Sequence, residues 1–349
     1  MSARGTAHGK VILFGEHAVV HGVPALAVGI DRGAWAEAVP RTRDSAPVTP
    51  RPPSIPPSTL HVRGWNVTVS DDASGESLPL ARALRDVLVV TRRAQQDAGV
   101  TPIGPVTVEA AADLPPGGGL GCSAALGVAV ARALDPTASP EVIAGRVDAW
   151  ERVFHGNPSG IDAAVASLGG CVHFQRSPNA GEAPVIQRVR VPSPMHLCVG
   201  HSGQASSTKS MVEAVARMKE RRPESTQRTF DAIHTLVKNA RLAIEAADVR
   251  AIGQFLDLNQ MLLSGLFLST PEIEQMCATA RTAGALGAKL TGAGGGGCVV
   301  ALVEDAARGE AVITAWKRDG FDGFATTVGG DLTMARETAT ELNVLAGLL

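Results

Sequence analysis

Two glycine-rich stretches contain the residue types best suited to holding a ligand. DLPPGGGLGCSAAL runs from Asp113 to Leu126, and KLTGAGGGGCVV runs from Lys289 to Val300. Glycine lets the backbone approach a ligand closely, and the N-terminus of a helix presents unpaired N–H groups and partial positive charge to an anion. The first stretch leads into an alanine-rich segment typical of a helix. It could therefore bind phosphate, or it could be a tight turn in which Ser123 only caps the helix.

Neither stretch matches a common nucleotide-binding motif. The P-loop requires a lysine directly before its Ser or Thr, and Cys122 occupies that position here. The second stretch contains Gly292-x-Gly294-x-x-Gly297, but the strand-like run CVVALV follows it, whereas the dinucleotide fingerprint opens a helix. Four successive glycines cost conformational entropy on folding. Because of this cost, a backbone surface pressed closely against a ligand is favoured over a purely structural hairpin.

Several ionisable residues could supply acid–base or metal chemistry, although each has an ordinary alternative. Glu151 could be a solvated carboxylate in the last turn of a helix, and Asp162 could complete a capping box with Ser159. Lys10 lies inside an apolar, strand-like run, where an ammonium group needs a partner unless the strand is an edge facing water. Taken singly, Glu151 and Asp162 are better explained by these ordinary roles.

The elements that must position these residues mix strands and helices without regular alternation, which predicts the α+β class. Strands are expected before the first glycine stretch and on both sides of the second. Helices are expected from about Ser123 to Leu134 and from Pro140, with Ser139 as N-cap. From residue 191 the pattern becomes one strand followed by mostly helical segments as far as Gly284. We therefore predict domains over residues 1–190 and 191–349.

Composition narrows the class of protein. The 349 residues carry a net charge of −2 and only 3% aromatic residues, which argues against nucleic-acid and anionic-membrane partners. The five cysteines are scattered and form no C-x-x-C pair, so neither a disulfide framework nor a cysteine zinc site is expected. No signal-peptide core is present at the N-terminus. These features predict a cytoplasmic protein, with a stiff, proline-rich exposed loop over residues 46–58.

Four motifs resemble those of one enzyme family. GKVILFGEHAVVHG, LPPGGGLGCSAA, ERVFHGNPSGID and KLTGAGGGGC are similar, in order and position, to the motifs of the galactokinase, homoserine kinase, mevalonate kinase and phosphomevalonate kinase family. The resemblance spans Lys10 to Gly330, and GEHAVVHG and HGNPSGID resemble the mevalonate kinases within the family. It implies a two-domain small-molecule kinase fold, with an N-terminal mixed α/β ATP-binding domain containing a left-handed βαβ unit and a C-terminal ferredoxin-like domain.

The resemblance also implies an activity and a role for each motif residue. The reaction would be ATP-dependent phosphorylation of the C5 hydroxyl of mevalonate, the first kinase step of the route to isoprenoids. Asp162 would accept the hydroxyl proton with Lys10 paired to it, and Ser123 and Glu151 would bind Mg²⁺. Mevalonate would contact Glu16, His17 and Thr208. ATP would contact Pro116, Gly117, Gly118, Gly119, Leu120, Gly121, Cys122, Ser123, Gly294 and Gly295.

Two alternatives remain open at this point. A sibling kinase could act on phosphomevalonate, homoserine or a sugar, and a non-catalytic sensor could use the same fold. A sensor would be expected to have lost Lys10, Glu151 or Asp162, and all three are present. Cys122 departs from the family's usual Gly-Ser-Ser, and LSGLFLSTPEIE departs from its usual Leu-Gly-Val-Ser turn. A homodimer is one family-based expectation for the assembly.

Overall fold

The computed structural model describes residues 2–41, 56–73, 79–115, 117–156, 158–177, 179 and 182–330. Most of the proline-rich stretch and Pro116 therefore lie outside the described residues. The chain forms two compact units that interleave along the sequence. The first unit contains Met1–Gly9, Arg32–Pro116 and Gly121–Leu168, and the second contains Lys10–Asp31, Gly117–Leu120 and Gly169–Leu349. The division at residue 190 stays a prediction.

Strands β1 (Ala3–Phe14) and β2 (Ala25–Pro40) pass through both units and pair with each other. The other elements of the first unit are β3 (Thr59–Val62), β4 (Val67–Ser70), α1 (Pro79–Asp97), β5 (Val106–Ala112), α2 (Cys122–Leu134), α3 (Pro140–His155) and α4 (Ile161–Leu168). The second half of β2 runs antiparallel to β5, with Ala34 opposite Ala112. β3 lies parallel to β5 and antiparallel to β4.

Helices α2, α3 and α4 pack on one another, and α2 also packs on β5. The close approach depends on a glycine, because a Cβ at Gly127 of α2 would lie 2.8 Å from the buried ring of Trp150 on α3. Helix α3 starts as predicted: the Ser139 side chain accepts a hydrogen bond from the Val142 N–H, and Pro140 is the first helical residue. This packing fixes the axes of three helices that carry candidate site residues.

The second unit contains two sets of paired strands. β6 (Cys171–Gln175) pairs antiparallel with the first half of β2 and with β7 (Val185–Val189). β8 (Met195–His201), β9 (Gly287–Thr291), β10 (Cys298–Val303) and β11 (Asp322–Val328) form an antiparallel sheet in the order β11-β8-β10-β9. Helices α5 (Thr208–Arg221), α6 (Pro223–Glu245), α7 (Val249–Gly265) and α8 (Pro271–Thr282) connect β8 to β9, and α9 (Ala306–Arg318) connects β10 to β11.

The strand order of this sheet is that of a ferredoxin-like domain, as predicted, with extra helices in the first crossover. The α+β class is likewise confirmed, and the handedness of the βαβ unit stays a prediction. Strand β7 was not predicted, because its hydrophobic pattern is weak. Only Val189 of its five residues is buried. Within the described ranges, no helix is both long and apolar enough to cross a membrane.

Candidate active site

The first glycine loop connects β5 to α2. Gly117, Gly119 and Gly121 have φ values of 72°, 77° and 72°. Side chains rarely adopt this left-handed conformation, so the alternation demands glycine at each of the three positions. Gly121 is the N-cap of α2 and has no side chain with which to cap it. The loop therefore ends at a helix N-terminus whose first N–H groups can face an anion.

Ser123 and Glu151 meet at the start of α2. The Ser123 hydroxyl donates a hydrogen bond of 2.6 Å to Glu151 Oε1. Glu151 is only 3% exposed, so its interpretation as a solvated last-turn carboxylate is wrong. The imidazole of His155, one turn later on α3, lies 3.7 Å from Glu151 Oε2. Two oxygen donors of the type that Mg²⁺ prefers are thus adjacent.

The Cys122 side chain is buried and contacts the start of the loop. Its thiol donates weakly to the carbonyl of Leu114 at 3.7 Å, and the residue is 8% exposed. Burial, aided by the negative charge of Glu151, raises the pKa of the thiol to about 11. The sulfur therefore stays protonated at neutral pH and fills core space.

Asp162 lies in the first turn of α4 and is half-buried. The preceding turn is held by Ser159, whose hydroxyl accepts from the Ile161 N–H at 3.4 Å. Because α4 packs on α2 and α3, Asp162 shares a three-helix framework with Ser123 and Glu151. The first unit thus carries the predicted base and the predicted metal ligands on helices that pack on one another.

Lys10 belongs to the second unit and is 3% exposed. Its backbone N–H donates to the carbonyl of Leu120 at 2.9 Å, which anchors the last residue of the loop segment 117–120 to β1. The interpretation of Lys10 as an edge-strand lysine facing water is wrong. Its contact with Asp162 stays a prediction.

The two glycine stretches lie against each other within the second unit. A Cβ at Gly119 would lie 3.2 Å from the carbonyl oxygen of Thr291, and a Cβ at Gly292 would lie 3.2 Å from Gly119 Cα. A Cβ at Gly297 would lie 3.4 Å from the carbonyl oxygen of Gly118. The loop 117–120 and the run 292–297 therefore form one continuous backbone surface.

The outer part of the second run packs on α5 and on the segment after α7. A Cβ at Gly294 would lie 2.4 Å from the Leu268 carbonyl oxygen, and one at Gly295 would lie 2.6 Å from the Met211 sulfur. The Ser206 hydroxyl donates to the Gly294 carbonyl. Thr208, the first residue of α5, is exposed two residues farther along the chain. Its contact with a substrate stays a prediction.

His17 is held in an unusual conformation beside the second run. Its φ is 60°, which is rare for a residue other than glycine and is found at functional sites. Nε2 donates to the Ala293 carbonyl at 2.7 Å, so Nδ1 is the acceptor nitrogen. Nδ1 is buried and has no hydrogen-bond partner among the described residues. Burial lowers the pKa of His17 to about 4, so the ring is neutral at pH 7.

Glu16 has internal partners for both carboxylate oxygens and is 1% exposed. Lys289 forms an ion pair with Oε1, and the Asn259 amide donates to Oε2 at 3.1 Å. The sequence interpretation gave no role to Lys289 or Asn259. A lysine in the middle of the strand-like run GAKLT and an Asn-Gln pair inside an apolar helix were the available signals. The predicted contact between Glu16 and mevalonate stays a prediction.

Comparison with known proteins assigns these features to one family. Residues 83–170 match the GHMP kinases N terminal domain, and residues 240–322 match the GHMP kinases C terminal family. The mevalonate kinase of Thermococcus onnurineus is 32% identical over 314 residues, covering 87% of this chain and 90% of the relative. The chain belongs to the GHMP kinase family. The family resemblance inferred from the motifs is thereby confirmed.

Other GHMP kinases extend the match over almost the whole chain. The mevalonate kinase of Pyrococcus abyssi is 34% identical over 313 residues, covering 85% of this chain and 87% of the relative. The crystal structure of L. major mevalonate kinase in complex with R-mevalonate is 28% identical, with a TM-score of 0.71 over 93% of this chain and 95% of that one. The two-domain GHMP kinase fold is therefore shared along both glycine stretches and the strands that carry them.

Proposed function

We propose that this protein transfers the γ-phosphoryl group of ATP to the C5 hydroxyl of mevalonate in the cytoplasm, as the first kinase step towards isoprenoids. The observation that carries the proposal is the identity of 32% to 34% with mevalonate kinases over at least 85% of the chain. Sibling kinases also share the fold, but a galactokinase structure is only 16% identical, which supports no claim beyond the fold.

The alcohol half of the reaction needs an acceptor for the hydroxyl proton. Asp162 takes that proton as the hydroxyl oxygen attacks the γ-phosphorus, and ADP leaves with the electron pair of the broken P–O bond. The buried ammonium of Lys10 stabilises the ionised Asp162 and the charge on the transferring group. His17, neutral and with Nδ1 unpaired, accepts a hydrogen bond from a hydroxyl of the substrate.

The phosphate half of the reaction relies on backbone N–H groups. The loop 117–120 and the first turn of α2 offer donors without side chains that would hold the phosphates away, and Gly294 adds another from the second stretch. The Gly295 N–H already donates to the Leu268 carbonyl at 2.7 Å, so Gly295 contributes close approach of the backbone and not a donor. Ser123 and Glu151 fit a Mg²⁺ ion, since both offer oxygen atoms, and these two residues would hold the ion. When bound, Mg²⁺ neutralises part of the charge on the phosphates.

A coupled assay of ADP release tests the proposal. ATP and Mg²⁺ are supplied with mevalonate, phosphomevalonate, homoserine or galactose in turn. The expected result is turnover with mevalonate at a kcat/KM well above that with the other three. Turnover with another alcohol alone would identify a sibling kinase. Calorimetric binding of mevalonate without ADP release would identify a sensor. Light scattering of the same preparation tests the homodimer.

A further inference from the structure

A buried polar network in the second unit lies beneath the segment that carries His17. Lys289 and Glu16 form an ion pair in which both side chains are 0% exposed. The Lys289 ammonium also donates to the carbonyls of Ile12 and Leu290. An ammonium group has three N–H donors, and three acceptors are in place around this one.

Helix α7 contributes two neighbouring amides to the network. Asn259 Nδ2 donates to Glu16 Oε2, and this orientation of the amide is required because a carboxylate only accepts. Gln260 accepts from the Leu290 N–H at 2.8 Å and donates to Ser269 and Glu274, each at 3.0 Å. One turn of α7 therefore holds both Glu16 and the strand that bears Lys289.

Several hydrogen bonds and one ion pair connect the segment 12–17 to the segment 289–293. The Thr291 hydroxyl accepts from the Ile12 N–H at 3.0 Å and donates to the Ile12 carbonyl at 3.1 Å. Lys289 reaches Glu16, and His17 Nε2 reaches the Ala293 carbonyl. The orientation of the His17 ring thus depends on how the Glu16 segment is held on β9.

Stability alone does not account for this arrangement. Removing two charges from water has a large cost, and a buried ion pair is often no more stable than apolar side chains of similar volume. Burial lowers the pKa of Lys289 against the opposing effect of Glu16. A network with this cost is better explained by the geometry that it imposes on the residues next to it.

We propose that Lys289 and Asn259 are positioning residues that hold Glu16, so that the adjacent His17 presents Nδ1 to the alcohol substrate. Lys289 acts through Glu16 and does not touch the substrate. This inference rests on the proposed function, because it states that the network affects the binding of the alcohol substrate and not the binding of ATP.

The test uses the full chain with three variants, Lys289→Met, Glu16→Gln and the double variant. Thermal unfolding, the KM for ATP and the KM for the alcohol are measured for each. We expect each single variant to lose thermal stability, because one buried group remains unpaired, and to raise the KM for the alcohol at least tenfold. The KM for ATP should change by less than about threefold. The double variant should regain stability but keep the raised KM for the alcohol, at no more than the larger single effect.

Non-additive KM effects in the double variant would support action of Lys289 through Glu16, whereas multiplied effects would overturn it. If the double variant recovers both its stability and the wild-type KM for the alcohol, the ion pair only stabilises the fold and the proposal is overturned. If Lys289→Met does not fold, the double variant decides by the same criterion. Arg146→Met breaks the partly buried Arg146–Asp135 ion pair and controls for destabilisation, with both KM values expected unchanged. Lys238→Met controls for the loss of a lysine at an exposed position.

The two proposals fail in different ways. If the wild-type chain releases no ADP with any alcohol of the panel, the proposed function fails. If it turns over an alcohol and the folded variants keep the wild-type KM for that alcohol, only the positioning role fails. Calorimetric titration of the alcohol into each variant gives a readout that does not require turnover. A ten-fold weaker Kd in Lys289→Met is expected there too.

Discussion

Replacing Gly119 by alanine should separate the two glycine stretches where they touch. Gly119 has φ of 77°, and its Cβ would lie 3.2 Å from the Thr291 carbonyl oxygen and 3.6 Å from Gly292 Cα. Ordinary van der Waals contacts begin at 3.4 Å, so the loop must move by a few tenths of an ångström. Because neighbouring backbone is on the other side, the movement falls on the surface that we propose binds phosphate.

The expected magnitude has two parts. A left-handed conformation costs a residue other than glycine about 1–2 kcal/mol, and this part should appear as lost stability. The displacement of the backbone donors should appear as weaker ATP binding. A loss of one hydrogen bond to a charged group is worth about 1.5–3 kcal/mol, which corresponds to an increase of about ten-fold or more in the KM for ATP.

Gly320→Ala is the matched control. Gly320 lies in the same unit with φ of 89°, and its Cβ would meet no atom of the described residues within 4 Å. Both variants are unfolded in urea and assayed for ADP release at varied ATP. We expect similar losses of stability and a raised KM for ATP in Gly119→Ala alone. Equal KM values in the two variants would refute the proposal that the two glycine stretches form one phosphate-binding surface.

Three further predictions follow from single side chains. Asp162→Asn should lower kcat about 10²–10⁴-fold with nearly unchanged ATP binding, because only the proton acceptor is lost; near-normal kcat in single-turnover assays would leave Asp162 as a helix-terminal residue only. Ser123→Ala should raise the Mg²⁺ concentration for half-maximal activity about 10- to 100-fold, because Glu151 loses its 2.6 Å partner; a magnesium titration that matches the wild type would contradict this. His17→Gln should remove a pH dependence of stability. The pKa of His17 is about 4 in the folded chain and about 6.5 unfolded. The unfolded chain therefore binds more protons between these values, and stability falls as pH decreases from 6.5 to 4. Urea unfolding should show a loss about 3 kcal/mol larger in the wild type than in His17→Gln over this range, and parallel curves would show that His17 titrates normally.

An exposed side chain provides a control for these variants. Asp148→Asn removes a carboxylate of α3 that pairs with Arg152 near the surface, and kcat should stay at the wild-type value. The same variant should leave the Mg²⁺ titration unchanged.

Local patterns predicted the elements well. Ser139 and Pro140 start α3 because capping and the fixed proline φ act within one turn. The second glycine stretch was correctly separated from the dinucleotide fingerprint, because β10 follows it directly.

Burial of individual ionisable groups was not predictable in this way. Glu151 and Lys10 occur in patterns that fit solvent-exposed residues, yet each is 3% exposed. Lys289 occurs in a strand buried at every position, and its partner Glu16 is distant in the sequence. A partner that lies far along the chain leaves no periodic signal near the residue that it neutralises.

The sequence by itself determined most of the secondary structure, though not β7, together with the family motifs and the presence of two glycine-rich backbone segments, since these depend on neighbouring residues and on the freedom of glycine. Only the tertiary structure decided that Gly119 and Gly292 touch, that the Cys122 thiol points into the core, and that Lys289 holds Glu16. The physical reason is that backbone approach and charge pairing depend on distances through space, which the packing of α7, β9 and β1 sets.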